Sequence, residues 1–123
     1  MHNLEDEMGE NIVLIKSKSF AVRIVRLYQH LIGVKKEFVM TKQLLRSGTS
    51  IGANIHEAIR AQSDKDFASK FNIALKEASE CEYWLELLHE TEYLTDNEFE
   101  SIMADCGEIN RLLIAIVKTS SKK

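Results

Sequence analysis

Apolar residues recur along this chain in alternating steps of three and four, the spacing of helices that bury one face. The first such segment covers roughly residues 12–34, where Phe20, Ile24, Leu27, Leu31 and Val34 form the stripe. A second runs over roughly 37–61 along the line Leu45, Gly48, Gly52, Ile55 and Ile59. The third, over roughly 64–92, is the most regular, with Phe67, Phe71, Ala74, Ala78, Cys81, Leu85 and Leu88. The fourth, over roughly 96–118, repeats it with Phe99, Ile102, Cys106, Ile109, Leu113 and Ile116. No segment competes with the strict alternation of a half-buried strand.

Two helix starts are written into the chain. Ser63 with Asp66 resembles a capping box, in which the hydroxyl takes a free N–H and the acid reaches back; Thr95 with Glu98 is its standard form. The break between the first two helices is less sharply marked, near "GVKKEF". Residues 1–10 and 119–123 are expected to fray. Short connections make successive helices antiparallel neighbours. The pattern therefore predicts a single all-α domain over 1–123, an up-down-up-down antiparallel four-helix bundle.

Two details complicate a plain bundle. Gly48 and Gly52 lie on the apolar line of the second helix, each costing a helix interior roughly 1 kcal/mol relative to alanine. Either a neighbouring helix approaches closely there or the helix kinks; Ser47, Ser50 and Ala53 extend the small-residue patch and favour close packing. The first helix also has a second apolar line, Ile15, Val22, Val25 and Ile32, opposite its core stripe. Tyr83, Leu87 and Ile114 likewise point away from their own seams. Self-association would account for all of them.

Composition agrees with helices. The 123 residues include no proline and five glycines, and 45% are hydrophobic, enough for one core. No signal peptide and no apolar run of about 20 residues is present, which predicts a cytoplasmic chain whose two cysteines are reduced thiols. The net charge of −3 conceals an asymmetry. Residues 12–62 hold nine Lys or Arg against two acids, whereas Glu77 to Asn110 hold eleven acids and no Lys or Arg. Either the two halves are solvated faces that attract each other within one bundle, or the basic half serves a polyanion.

Candidate chemistry is sparse. A carboxylate-bridged metal site in a bundle needs two Glu-x-x-His pairs, and only Glu86 with His89 is present; His2, His30 and His56 lack the glutamate. Neither cysteine belongs to a Cys-x-x-Cys, and both sit in core seams. Ser50, His56 and Glu57 match a triad by type, but one helix cannot make them converge. The expectation is a protein without catalytic residues, cofactor or metal. There remains the polar face of the second helix, Arg46, Ser50, Asn54, Glu57 and Arg60. It reads as a solvated face, a network at a subunit contact, or part of a partner surface with Arg23, Arg26, Lys35, Lys36 and Lys42.

At these residues the chain resembles a known family. "SIGANIHEA…SDKDF", then "NIALKEASECE" and "YL…EF", are similar to the bacterial four-helix-bundle proteins encoded in ribosomal RNA intervening sequences. Ser50, Ile51, Asn54, Ile55, Glu57, Ser63, Phe67, Ile73, Ala74, Glu80 and Glu82 match their pattern. Gly52 stands where that pattern has proline, and His56 and Ala58 stand where it has alanine and glycine, so the helix here is more continuous. The resemblance covers roughly residues 12–118. It implies a non-enzymatic bundle that assembles as a ring, a pentamer. It also implies kinship with the accessory variability proteins of diversity-generating retroelements, which bind a reverse transcriptase and nucleic acid. The functional expectation is an oligomeric adaptor for RNA or DNA, or for a protein that handles it, working through the basic first two helices. The alternative is a protein scaffold whose acidic half docks a basic partner.

Overall fold

The first helix, α1, spans Leu4–Gly33 and so begins well before the predicted start at residue 12. Glu5, Asp6 and Glu7 in its first turn complement the helix dipole, and burial of Glu10, Val13 and Ser17 docks that early portion on the bundle. The structure is a computed structural model and describes residues 4–121. Residues 4–10 and 119–121 are helical, against the expected fraying; residues 1–3 and 122–123, where fraying was also expected, lie outside the described residues, as does His2. Val34 leaves the predicted stripe because α1 stops at Gly33, and it is exposed.

Helix α2 spans Met40–Ile59, α3 Asp64–Glu90 and α4 Asp96–Ser121. The observed starts match the two capping signals. Thr95 and Glu98 make the full box, with Glu98 N–H donating to Thr95 Oγ1 at 3.2 Å and Thr95 N–H to Glu98 Oε1 at 2.8 Å. Ser63 accepts from Asp66 N–H at 3.1 Å, but the reciprocal half is not made among the described residues because the aspartate is one methylene short. Helix α3 ends with Glu92 in the left-handed region (φ 70°), where Tyr93 N–H closes on Leu88 carbonyl at 2.9 Å.

The core stripes of α3 and α4 are those predicted, with Phe67, Phe99 and Ile116 at their edges. That of α2 is shifted. Its buried residues are Thr41, Leu44, Ser47, Gly48, Ile51, Ile55 and Ala58, while Leu45 and Gly52 are half-buried and Ile59 is exposed. The reason is that α2 packs against both α1 and α3, so its buried face is centred between the two.

The backbone of each helix runs close to two others: α1 lies beside α2 and α4, and α3 beside the same two. Cross-helix pairs run in opposite senses along neighbouring helices. Gly48 faces Ile24 and Gly52 faces Ser17. Arg46 reaches Glu77 and Glu80, whereas Glu57 reaches Lys70. Arg23 pairs with Asp105 and Lys16 with Glu108. Close approach requires the glycine at Gly48, where the Ile24 side chain stands against the α2 backbone, whereas Gly52 meets Ser17 at ordinary contact distance; α2 runs as one helix through both. A Cβ on Gly48 would lie 2.9 Å from Cγ1 and from Cγ2 of Ile24; one on Gly52 would lie 3.4 Å from Ser17 O and Oγ.

Candidate interaction surface

The cations singled out in α1, in α2 and in the segments next to α2 fall into two sets. Arg23 Nη1 donates to Asp105 Oδ2 at 2.6 Å while Nη2 donates to Ser101 Oγ at 3.0 Å, tying α1 to α4. Arg46 forks onto α3, with Nη2 at 2.6 and 2.7 Å from the two oxygens of Glu80 and Nη1 at 3.1 Å from Glu77. The Arg46 hydrogen bond, reinforced by one from Trp84 Nε1, holds the Glu80 carboxyl below its ordinary value, and the same pair raises Arg46. Arg26, Lys35, Lys36, Lys42 and Arg60 are exposed and have no ion-pair partner among the described residues. Lys18 belongs with them, though its place in the sequence does not single it out. No local spacing rule separates the two sets, because the acids that hold Arg23 and Arg46 lie far along the chain.

Between α1 and α2 runs an open groove of about 800 Å³, with Leu14, Ala21, Gly52 and Ala53 among its lining and Lys18 and His56 beside them. A second hollow of about 380 Å³ adjoins it through Lys18 and Ala21 and adds Val22, Val25, Arg26 and Gln29. Lys42, Thr49 and His56 are seven apart, as are Ala53 and Arg60, so Lys42 and Arg60 continue the outer stripe of α2 past the groove. The outer apolar line of α1 is exposed at Ile15 (66%), Val22 (44%) and Val25 (38%), while Ile32 is half-buried. Exposed Leu4, Met8 and Ile12 extend it toward the helix start. On α3 and α4, Tyr83 and Ile114 are exposed, and Leu87 is half-buried.

The polar residues of α2 do not converge. Ser50 Oγ donates to its own helix at Arg46 O (2.6 Å), Asn54 Nδ2 donates to Ser50 O (2.8 Å), and Glu57 pairs with Lys70 of α3 (3.2 Å). Ser50, His56 and Glu57 share no hydrogen bond among those described. His89 turns away from Glu86: its Nε2 lies 2.7 Å from Asp96 Oδ1 and its ring stacks on Phe99 at 4.2 Å. Among the described residues no group of three or more His, Cys, Asp or Glu is placed to hold a metal. Both cysteines are free and buried; the neighbouring Cys106 thiol, with burial, raises the Cys81 thiol well above its ordinary value. Such a thiol is protonated and a poor nucleophile.

The least legible element is the α1–α2 loop. Glu37 is buried, and its carboxylate accepts from the N–H groups of Val39 (3.1 Å), Met40 (3.0 Å) and Thr41 (2.8 Å) and from Thr41 Oγ1 (2.6 Å). It thus satisfies the free N–H groups at the start of α2 in the place of a Ser or Thr cap. Lys36, with φ 60°, makes the left-handed turn that aims Glu37 inward. Val34, Phe38 and Val39 are left in solvent beside Lys35, Lys36 and Lys42.

Comparison with known proteins agrees with this architecture. Residues 9–115 match the family described as 23S rRNA-intervening sequence protein. The chain is also similar to the crystal structure of a protein of unknown function from the S23 ribosomal protein family of Bacteroides thetaiotaomicron. The two share 64% identity with a TM-score of 0.88, over 89% of this chain and 98% of that one. Among curated proteins there is no match.

Proposed function

The chain belongs to the 23S rRNA-intervening sequence protein family, and on that footing we propose that it is a non-enzymatic adaptor built as an up-down-up-down antiparallel bundle. It assembles with copies of itself as a ring, a pentamer, and engages RNA or DNA, or a protein that handles it, through α1 and α2. The cytoplasm is its compartment; among the described residues no helix is long and apolar enough to cross a membrane. The opposed order of cross-helix pairs supports the bundle topology. A nucleic-acid partner would also follow from the kinship with the accessory variability proteins of diversity-generating retroelements that the family resemblance implies.

The observation that carries the reading is the sorting of cations. Arg23 and Arg46 are engaged by the bundle's own acids, while Lys18, Arg26, Lys35, Lys36, Lys42 and Arg60 have no such partner among the described residues. Ser50 and Glu57 are engaged on helix and neighbour, and both thiols are buried, which supports a non-catalytic role.

Polyanion binding should fall steeply with salt as counterion release is lost. In a filter or anisotropy assay, Arg26→Glu with Lys42→Glu should weaken RNA or DNA retention at about 50 mM salt by tenfold or more, each lost phosphate contact removing part of the salt slope. Arg23→Glu is the uninformative choice, since it breaks the Asp105 pair. If the wild type retains neither RNA nor DNA at that salt, the alternative stands: a protein scaffold that docks a basic partner on the acidic α3–α4 half.

A further inference from the structure

We propose that the α1–α2 loop is a contact for single-stranded nucleic acid, with Phe38 stacking on an unpaired base and Lys35, Lys36 and Lys42 meeting the flanking phosphates. The inference rests on the polyanion reading and names the strand and the residues that read it.

Geometry sets the loop apart from an ordinary turn. Phe38 is 53% exposed and Val39 76%, and Val34 beside them is 67% exposed. Three exposed apolar side chains within six residues, rimmed by lysines, make the kind of surface patch that marks an interaction site. This one cannot collapse to hide Phe38, because the buried Glu37 carboxylate pins the N–H groups of Val39, Met40 and Thr41 and the Thr41 hydroxyl. The turn at Lys36 that sends Glu37 inward leaves the next side chain outward. The aromatic is therefore held in solvent by structure on its inner side, a preformed platform.

Charge identifies what the platform meets. Lys36 and Lys42 have no ion-pair partner among the described residues, and Lys35 reaches an acid only through its field on Glu98, whose carboxylate is bound to Thr95. A phosphate cannot use the N-terminus of α2, since Glu37 already fills it. Side-chain ammonium groups must supply the attraction, and three cluster within eight residues of sequence, from Lys35 to Lys42. That corner can neutralise about three phosphates, giving a salt slope near −2 on a single strand. A duplex presents stacked bases and hides the faces that Phe38 needs. An unpaired base offers its face at no such cost, and aromatic stacking of this kind changes affinity by roughly tenfold to a hundredfold per base.

The test uses the full chain with a fluorescent single-stranded 12-mer (oligo-U, and oligo-dT) and a duplex of equal length at about 50 mM salt, with circular dichroism to verify the fold. Phe38→Ala should weaken single-strand binding about tenfold or more and leave duplex binding unchanged. Phe38→Trp should restore it, and the fluorescence this substitution adds should be quenched as the strand is titrated. Lys35→Glu with Lys36→Glu should remove binding to both. Undiminished single-strand binding by Phe38→Ala, or no quenching of the indole added by Phe38→Trp, overturns the inference while leaving the adaptor reading intact. Loss of both strands by the wild type overturns the two together. Binding of the loop to anionic vesicles or to an acidic peptide, with no strand bound and with Phe38→Ala abolishing it, reassigns the platform and also overturns the inference.

Discussion

Glu37 shows how much one side chain can decide. Burial alone would raise its carboxyl, but the hydrogen bonds from Thr41, Met40 and Val39 outweigh burial and hold it below the ordinary 4.5. A carboxyl whose folded pKa is depressed stabilises the fold fully above its unfolded value. That contribution is lost as pH falls through the folded value. Glu80 beside Arg46 and Glu98 in its capping box shift the same way. Glu37→Gln should therefore destabilise the protein near neutrality by about 1 kcal/mol, within the roughly 0.5–2 kcal/mol of a lost cap. The deficit should shrink once pH is well below 4.5. Urea unfolding of both proteins at pH 7 and below about pH 4 measures it, and a deficit independent of pH would contradict the cap. In the sequence Glu37 is one acid beside two lysines; nothing local marks it as buried, because its partners are backbone groups of a helix that has not yet begun.

At the scale of an element, α1 and α2 come together through one missing side chain, that of Gly48. Ile24 fills the space a Gly48 side chain would take, and its branch carbons next to the backbone cannot swing aside. Gly48→Ala should cost about 1–3 kcal/mol by overpacking, exceeding the roughly 1 kcal/mol that alanine returns as helix propensity. Gly52 is different: an added Cβ would meet Ser17 at ordinary contact distance, so Gly52→Ala should be neutral or stabilise by up to about 1 kcal/mol. Thermal melts of the two variants check the pair, and equal effects would refute the distinction. Both glycines read alike in the sequence. Only the side chain opposite each separates them.

At the scale of the whole molecule, α1 is apolar on two opposite faces and the bundle covers one. Burying a Val or Ile side chain completely contributes roughly 1.5–3 kcal/mol, so Ile15, Val22 and Val25 left in water forgo several kcal/mol, an upper bound once association entropy is counted. Light scattering should therefore give a multiple of 14.1 kDa at micromolar concentration. Val22→Glu with Val25→Glu should reduce the particle to that mass with helicity unchanged, because both side chains are outside the core. A 14.1 kDa wild-type particle would refute self-association.

The sequence alone determined the helices and most of the core. A stripe of threes and fours needs no knowledge of its neighbours, and the Thr95–Glu98 box closes within one turn, so both are legible locally. Tertiary structure decided what depends on residues far apart. The early turns of α1 are held by burial of Glu10 and Val13, against the polar look of "LEDEMGEN". The core line of α2 moved because that helix serves two neighbours at once. Which arginines are held within the bundle was decided by Asp105, Glu77 and Glu80, brought across it by packing, and no spacing within α1 or α2 encodes a charge that another helix supplies.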